Sequence, residues 1–246
     1  HASRILAFNV DAGALHKCDA VTGTNKSDQR RWSKVWFGFP HVGAGHKNEH
    51  RNVLANQLLI LRFLISVAPY LTEGPLPEAI QGRKRRAASE DDEDDEEPIE
   101  AADDEPDVSA TSVPPRRQGS VLITIRNVVP YTLWNIPMLG KRLRDVLQPI
   151  AASAPSPPKG IRAPTVSDVD KNGAQYVLWR SFEFVPSDWP GYSHRRTVGF
   201  VEGLSTSHNE DLLRRPTQPP QQGQPSGRHV GTGECRTYEL ALQPVH

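Results

Sequence analysis

The sequence predicts an α/β domain whose sheet is mainly parallel and ends in an antiparallel strand. Apolar or β-branched runs alternate with amphipathic segments in the order strand, strand, helix, strand, helix, strand, strand, which is typical of α/β folds. The strand segments are largely apolar, as expected for strands covered on both faces. The last two strands follow one another without a helix, which favours a hairpin-like, antiparallel end to the sheet.

Five strands are predicted, over residues 4–10, 34–39, 120–126, 176–185 and 236–242. The first, RILAFNV, is a short apolar run that stops at Asp11, and the third, SVLITIR, is rich in β-branched residues. The last, RTYELAL, alternates polar and apolar residues. Each pattern buries at least one face of a strand, so together they predict the core sheet.

Two helical segments are predicted between the strands. Residues 48–71 carry an apolar stripe at helical spacing, and Pro69 lies near the end of the segment. The stripe consists of Leu54, Leu58, Leu61 and Ile65. Arg62 is interpreted as a snorkelling side chain that reaches solvent past apolar neighbours. Residues 131–147 are predicted to be helical, with a break or kink at Pro137.

Composition indicates one domain interrupted by long insertions. The 246 residues are 37% hydrophobic, which suffices for a core, but the 22 prolines cluster. Disordered insertions are predicted at about 73–118, 149–172 and 205–228, within a single incomplete domain spanning 1–246. Two cysteines predict neither a disulfide framework nor a zinc quartet, and favour a reduced, intracellular protein. The apolar run 53–68 is short for a bilayer span, so a buried helix is predicted and no membrane association.

The charge distribution favours a polyanionic partner. The net charge is zero, but residues 87–113 hold 13 acidic and no basic residues, which leaves 16 acidic and 29 basic residues elsewhere. A basic remainder is typical of a domain that binds nucleic acid. The basic run at 83–86 fits a nuclear import signal, with a solvated charged loop as the alternative.

Three segments are expected along one edge of the sheet, because ligands bind at the carboxyl ends of strands in such folds. They are Asp11, residues 38–45 and residues 126–134. The sequence HKNEH at 46–50 matches a short zinc-hydrolase pattern, but no third ligand is evident. We therefore interpret it as the solvated start of a helix and predict no metal site.

The segment WPGYSHRRT, at 189–197, combines aromatic and basic residues. Aromatic faces stack on bases and paired arginines bind phosphates, so the segment is a candidate RNA contact. An ordinary basic loop with partly buried aromatic residues is an equally good interpretation of its composition.

Five segments, in order along the chain, resemble the same protein family. The segments are NVDAGAL, FGFPHVGAG with the following HRNVLANQLLILRFLISVAPYL, GSVLITIRNVVPYTLWNI, WPGYSHRRTVGF and CRTYELAL. Together they resemble the signature of eukaryotic large-subunit ribosomal-RNA uridine-N3 methyltransferases. The resemblance implies a Rossmann-like class I methyltransferase that uses S-adenosyl-L-methionine. It also implies that the chain starts at the third strand of that fold, so that the first strands and the Gly-rich cofactor turn are missing.

The resemblance implies a role for each residue of the rim. Asp11 would hold the adenine amino group of the cofactor, although an Asp in this position is also typical of a helix N-cap. Gly38 would lie beside the cofactor, where the family usually has asparagine. Phe39 would stack on the base, Pro40 would stiffen the turn, and His41 would accept the N3 proton or hydrogen-bond a carbonyl. An ordinary polar turn residue is the alternative for His41.

RNA contacts are also implied by the resemblance. The residues expected to make them are Arg126, Tyr131, Tyr192, His194, Arg195 and Arg196. The partner would be large-subunit ribosomal RNA or a pre-ribosome in the nucleus and nucleolus, with the cytoplasm as a further compartment. The alternative is a non-catalytic RNA-binding module that keeps the fold but lacks a complete cofactor site.

Overall fold

The computed structural model describes residues 7–24, 29–43, 48–76, 117–156, 160–190, 192 and 235–244. Within these ranges the strands are β1 (Lys34–Gly38), β2 (Ser120–Arg126), β3 (Tyr176–Glu183) and β4 (Cys235–Leu242). The α-helices are α1 (Asp19–Thr22), α2 (Glu49–Val67), α3 (Ile136–Lys141), α4 (Leu143–Ser153) and α5 (Val166–Asn172). Short 3-10 helices cover Ala12–Lys17, Ala68–Tyr70, Tyr131–Trp134 and Pro186–Asp188.

The four described strands form one sheet in the order β1-β2-β4-β3. β1 pairs with β2 in parallel, whereas β4 is antiparallel to both β2 and β3. Three strands therefore run in one direction, and the C-terminal strand runs against them between β2 and β3. The α/β class, the parallel direction of most strands and the antiparallel C-terminal strand are as predicted.

The long helix α2 packs against one face of the sheet. It begins after Asn48, whose side chain accepts a hydrogen bond from the Arg51 amide, and it ends before the 3-10 turn that contains Pro69. Phe37 of β1 meets Phe63 of α2 with ring centroids 4.6 Å apart. By length and composition Glu49–Tyr70 could cross a membrane, but 78% of its most apolar window is buried inside the fold, which is the arrangement of a core helix. The predicted helix over 48–71 is confirmed.

The opposite face of the sheet carries a buried carboxylate. Glu239 of β4 is fully buried and accepts hydrogen bonds from Lys34 Nζ (2.5 Å), Ser120 Oγ (2.6 Å) and Arg180 Nε (2.8 Å). Burial opposes ionisation of this group, but the hydrogen bonds from the three side chains outweigh burial and hold the pKa of Glu239 below its ordinary value. This ionic network joins all four strands at the amino-terminal ends of β1 and β2.

The strand predicted over 4–10 does not form in its described part. Residues 7–10 are irregular and exposed, and Phe8 is 78% exposed. An apolar run forms a stable strand only with a neighbouring strand to pair with, and this segment has none among the described strands. The predicted break at Pro137 is confirmed, because Tyr131–Trp134, α3 and α4 are separate helices and the proline occupies the first turn of α3.

The prediction of a disordered insertion at 149–172 is wrong at both ends. α4 continues to Ser153 with Pro149 inside it, because the helix buries Leu147 and Ile150 on its inner face. α5 begins with a capping box in which Thr165 and Asp168 satisfy each other's backbone amides. The hydrogen bond from Arg162 has the largest effect on the Asp168 carboxyl, and with the hydrogen bonds from Thr165 it outweighs the opposing effect of burial and lowers the pKa of Asp168 to about 2.

The other two predicted insertions lie largely outside the described residues. Residues 77–116 and all of 205–228 belong to the chain that the structure does not describe. At the two ends of the first predicted insertion, Gly74 N–H donates to Gln118 Oε1 over 2.8 Å, and Gln118 N–H donates to the Pro75 carbonyl over 3.1 Å. The two ends of that insertion therefore lie side by side at the start of β2.

Candidate functional site

The first part of the site is the turn that follows β1, residues 39–43, here called the first rim turn. Phe39 donates its amide to the Thr124 carbonyl of β2 over 2.8 Å and has a φ of 51°. A bulky residue in this left-handed region is strained by about 1–3 kcal/mol, and such strain is common at functional sites. Pro40 is buried behind it. The turn is therefore held in one conformation.

His41 lies in the first rim turn with one ring nitrogen already engaged. Its Nδ1 accepts the Gly43 amide over 2.8 Å, so in the neutral ring the proton is on Nε2. Burial lowers the pKa of His41 below its ordinary value, which favours the neutral form at pH 7. His41 is thus prepared to donate a hydrogen bond from Nε2.

The 3-10 helix Tyr131–Trp134, here called the second rim turn, faces His41. The His41 ring lies 6.4 Å from Tyr131 and 6.1 Å from Trp134, and these two rings are 5.1 Å apart. The Arg126 guanidinium, at the end of β2, lies 5.8 Å from the centre of the Tyr131 ring. The structure therefore brings together three predicted site residues at the carboxyl ends of β1 and β2.

Two adjacent amides of α2 hold the two rim turns. Asn56, which is 1% exposed, accepts the Val42 N–H of the first rim turn over 2.9 Å. Gln57, which is 7% exposed, donates to the carbonyls of Leu133 (3.4 Å) and Trp134 (3.3 Å) in the second. Sequence reasoning missed both residues as site residues. The signal was present, because two neighbouring amides in an apolar helix need buried partners.

Trp134 contributes a donor without an acceptor. Its ring is fully buried, and its indole N–H is the buried side-chain polar atom of the described residues that has no hydrogen-bond partner. A buried unpaired donor costs about 1–3 kcal/mol, and in native structures it calls for an explanation such as a bound molecule. The sequence gives no sign of this, because it depends on what surrounds the indole.

Asp11 has two contacts. One carboxylate oxygen accepts the Gly13 N–H over 2.8 Å and caps the 3-10 helix Ala12–Lys17, and the other pairs with Arg62 over 3.1 Å. The N-cap alternative is therefore realised, and Arg62 is an ion-pair partner rather than a snorkelling side chain. An apolar cavity of about 350 Å³ lies along the outer edge of β1, and the neighbours of Asp11, Val10 and Ala12, line it.

Gly38, the last residue of β1, lies under an indole. A Cβ placed at Gly38 would approach the Trp36 ring to 3.2 Å, which leaves little room for a side chain. Trp36 is fixed there because its indole N–H donates to Thr124 Oγ1 over 2.8 Å. In this chain a tryptophan ring thus lies beside Gly38, the position at which the family resemblance implies an asparagine.

The late aromatic segment lies partly within the described chain. Tyr192 lies 5.9 Å from the Trp36 ring and 5.3 Å from the Phe184 ring, and burial, with a smaller contribution from Cys235, raises the pKa of its phenol. The predicted RNA contacts His194, Arg195 and Arg196 lie outside the described residues. No cluster of three or more His, Cys, Asp or Glu side chains occurs among the residues whose placement is described.

Comparison with protein families shows a match over most of the chain. The model of a family described as BMT5-like, rRNA (uridine-N3-)-methyltransferase BTM5-like, matches residues 2–196. No curated protein and no solved structure matches the chain. The matched residues include β1, α2, β2 and the two rim turns, which are the elements that build the site. The chain therefore belongs to the BMT5-like family of rRNA (uridine-N3-)-methyltransferases.

Proposed function

We propose that the protein transfers a methyl group from S-adenosyl-L-methionine to N3 of a uridine in large-subunit ribosomal RNA. The observation that carries the proposal is His41, which lies in the first rim turn with its Nε2 as a donor and faces the second rim turn, both turns being held by α2. Three strands in one direction and an antiparallel last strand support a Rossmann-like domain, which we propose spans residues 1–246.

The target base must leave its helix before it can react. N3 lies on the pairing edge of uracil, so the base is unpaired or flipped out of the duplex. Phe39 and Tyr131 then offer ring faces for stacking, and Arg126 beside Tyr131 offers charge for a neighbouring phosphate. Of the two roles considered for His41, its tautomer favours donation to a uracil carbonyl over acceptance of the N3 proton.

Methyl transfer forms a bond from N3 to the methyl carbon and breaks the bond from that carbon to sulfur. The N3 proton leaves to water, and negative charge moves onto the uracil carbonyls as it departs. A hydrogen bond from His41 Nε2 to such a carbonyl strengthens as this charge develops, which is how positioned donors lower a barrier. The pocket is otherwise expected to act by orienting the two reactants.

The residues around Asp11 are compatible with the methyl donor, which would supply an activated methyl group. The Asp11 carboxylate is 41% exposed and retains lone pairs beyond its two present contacts, so it can accept from an adenine amino group or a ribose hydroxyl. The apolar cavity beside it suits an aromatic base. We propose that Asp11 binds this part of the cofactor, with Gly38 at the methyl-bearing end.

A second candidate function is a non-catalytic RNA-binding module. One observation favours it, namely the Trp36 ring beside Gly38, which occupies space where an amide would otherwise contact base or cofactor. Such a module would bind ribosomal RNA without methylating it.

The two candidates are separated by a transfer assay on the whole chain. Labelled S-adenosyl-L-methionine is incubated with large-subunit ribosomal RNA, and labelled 3-methyluridine is sought after digestion. We expect the label at N3, a loss of about tenfold or more in His41→Ala, equivalent to about 1.4 kcal/mol, and unchanged cofactor binding by calorimetry. Failure of calorimetry to detect cofactor, together with RNA binding, would leave the non-catalytic module.

The cellular location is also a proposal. A basic run at 83–86 and a substrate in pre-ribosomes favour the nucleus and nucleolus. A fluorescent fusion should accumulate in nucleoli, and alanine substitution of the basic run should shift it to the cytoplasm. An unchanged distribution in that variant would reject the run as the import signal.

A further inference from the structure

A row of aromatic rings crosses the sheet face that lies opposite α2. At its outer end Trp36 is 47% exposed and Trp189 is 50% exposed, with ring centroids 6.5 Å apart and planes within 18°. Exposed large aromatic residues that gather in one place mark an interaction site more often than scattered ones do. This pair is therefore a candidate contact surface that extends outward from the site described above.

The row continues inward to the first rim turn. Trp36 lies 5.7 Å from Phe184, and Phe184 lies 6.0 Å from Phe39 in an edge-on arrangement. We call Trp189, Trp36, Phe184 and Phe39 the aromatic row. It leads from the exposed sheet face to the turn that contains His41, so a molecule lying along it would end at the proposed target pocket.

The rings of the row are fixed before any partner arrives. The Trp36 N–H bond to Thr124 anchors its indole to the centre of β2, and Phe184 is buried between Trp36 and Phe39. Rigid aromatic surfaces bind with little loss of side-chain entropy. A preformed row of this kind suits stacking.

Cationic groups lie on the same face beyond Trp36. The Lys34 ammonium and the Arg180 guanidinium lie 5.1 Å and 5.0 Å from the centre of the Trp179 ring. Both side chains are nearly half exposed while they contact Glu239. The face thus combines aromatic and basic groups, and 29 basic residues against 16 acidic ones outside 87–113 favour an anionic partner.

We propose that the exposed rings of the aromatic row, Trp36 and Trp189, bind single-stranded RNA by stacking on bases that flank the target uridine, with the buried Phe184 supporting them. The inference rests on the proposed function, because continuity with the target pocket is what identifies these bases as neighbours of the target. Stacking on aromatic side chains tolerates any base. The row would therefore supply affinity and hold the strand open, while the rim turns would choose the base to be methylated.

The test measures binding of a fluorescein-labelled oligouridine of about twelve nucleotides, within the span of 4–16 that single-strand sites cover, by anisotropy. Trp36→Leu and Trp189→Ala, in the full chain, are compared with Trp32→Leu. Trp32 is a matched control because it is 38% exposed and has a bonded indole N–H, here donated to the Val21 carbonyl, but lies outside the row. Trp36→Phe keeps a stacking ring, and thermal unfolding identifies any variant that does not fold.

We expect Trp36→Leu and Trp189→Ala each to weaken binding by about fivefold to a hundredfold. Trp36→Phe should recover part of the loss, and Trp32→Leu should bind like the wild type. Because stacking involves no counterion, the slope of log Kd against log salt should not change. A variant that loses its fold would also lose its electrostatic contacts with RNA, and its slope would then change.

Wild-type affinity in both Trp36→Leu and Trp189→Ala would overturn the inference. Failure of the wild-type chain to bind the oligouridine would overturn it as well. The proposed function is judged separately by methyl transfer. If the variants lose RNA binding but the wild type transfers no methyl group, the aromatic row stands as an RNA surface and the enzymatic proposal fails.

Discussion

Replacing Asn56 by alanine would show how much of the site depends on α2. The amide makes three hydrogen bonds, one from Val42 N–H and two to Asn52. Leaving the Val42 N–H without an acceptor costs about 1–3 kcal/mol, and each lost bond to Asn52 costs about 0.5–1.5 kcal/mol. Because Asn52 is only partly buried and can turn to water, we expect a total loss of about 2–4 kcal/mol in the free energy of unfolding. Urea titration measures it.

The more specific consequence of Asn56→Ala is expected at His41. Partial burial lowers the pKa of this imidazole, and a first rim turn released from α2 would expose the ring further. The pKa should therefore rise towards the ordinary histidine value of 6.5, which a pH titration of the His41 ring proton by NMR would show. Methyl transfer should fall by about a hundredfold if the ring moves by about 1 Å.

Asn52→Ala is the matched control, because it removes one partner of Asn56 while the bond to Val42 stays intact. It should cost about 1 kcal/mol and leave the His41 pKa as in the wild type. If Asn56→Ala shifts the His41 pKa no more than Asn52→Ala does, the amide does not position the turn, and the reasoning is refuted.

Three further predictions concern other residues. Gly38→Asn should lower the free energy of unfolding by about 1 kcal/mol because its Cβ would press on Trp36. In chemical denaturation this cost should vanish when Trp36 is also replaced by alanine. If the costs of the two substitutions simply add in the double variant, the prediction is contradicted. Trp134→Phe removes a buried unpaired donor but also part of a buried ring. Because these two effects oppose each other, the free energy of unfolding should change by less than about 1 kcal/mol, while calorimetric affinity for RNA or cofactor falls. Unchanged affinity for both would show that the indole donates to neither. Glu239→Gln weakens the hydrogen bonds from Lys34 and Arg180, whose side chains are nearly half exposed, and should cost about 1.5–3 kcal/mol, against no more than about 1 kcal/mol for the exposed Glu183→Gln. The pKa of Glu239 is depressed, so the stability that its carboxylate contributes should be present above the unfolded-state pKa of about 4.5 and be lost as the pH falls through the folded-state pKa. If the stability difference between the wild type and Glu239→Gln does not shrink on acidification, this prediction is contradicted.

Local patterns predicted the elements that bury one clear face. The apolar stripe of α2 and the β-branched run of β2 depend on neighbours in sequence, and both are found where expected. The helix over Val166–Asn172 was missed although the Thr165 and Asp168 pair is a local capping signal, because the surrounding prolines and serines dominated the composition. The partners of Asn56 and Gln57 could not be predicted, since they lie 14 and about 76 residues away.

One helix sets the width of the candidate site through two neighbouring side chains. Adjacent residues on an α-helix point about 100° apart, so Asn56 and Gln57 reach different segments while their own separation is fixed. A buried amide costs free energy unless it is bonded, and leucine at either position would bury apolar area without that cost. Core packing alone therefore does not account for these amides. The hydrogen bonds of Asn56 and Gln57 to the two rim turns account for them, because these bonds fix the gap between the turns. In the proposed function, His41 and Tyr131 would enclose the base in that gap.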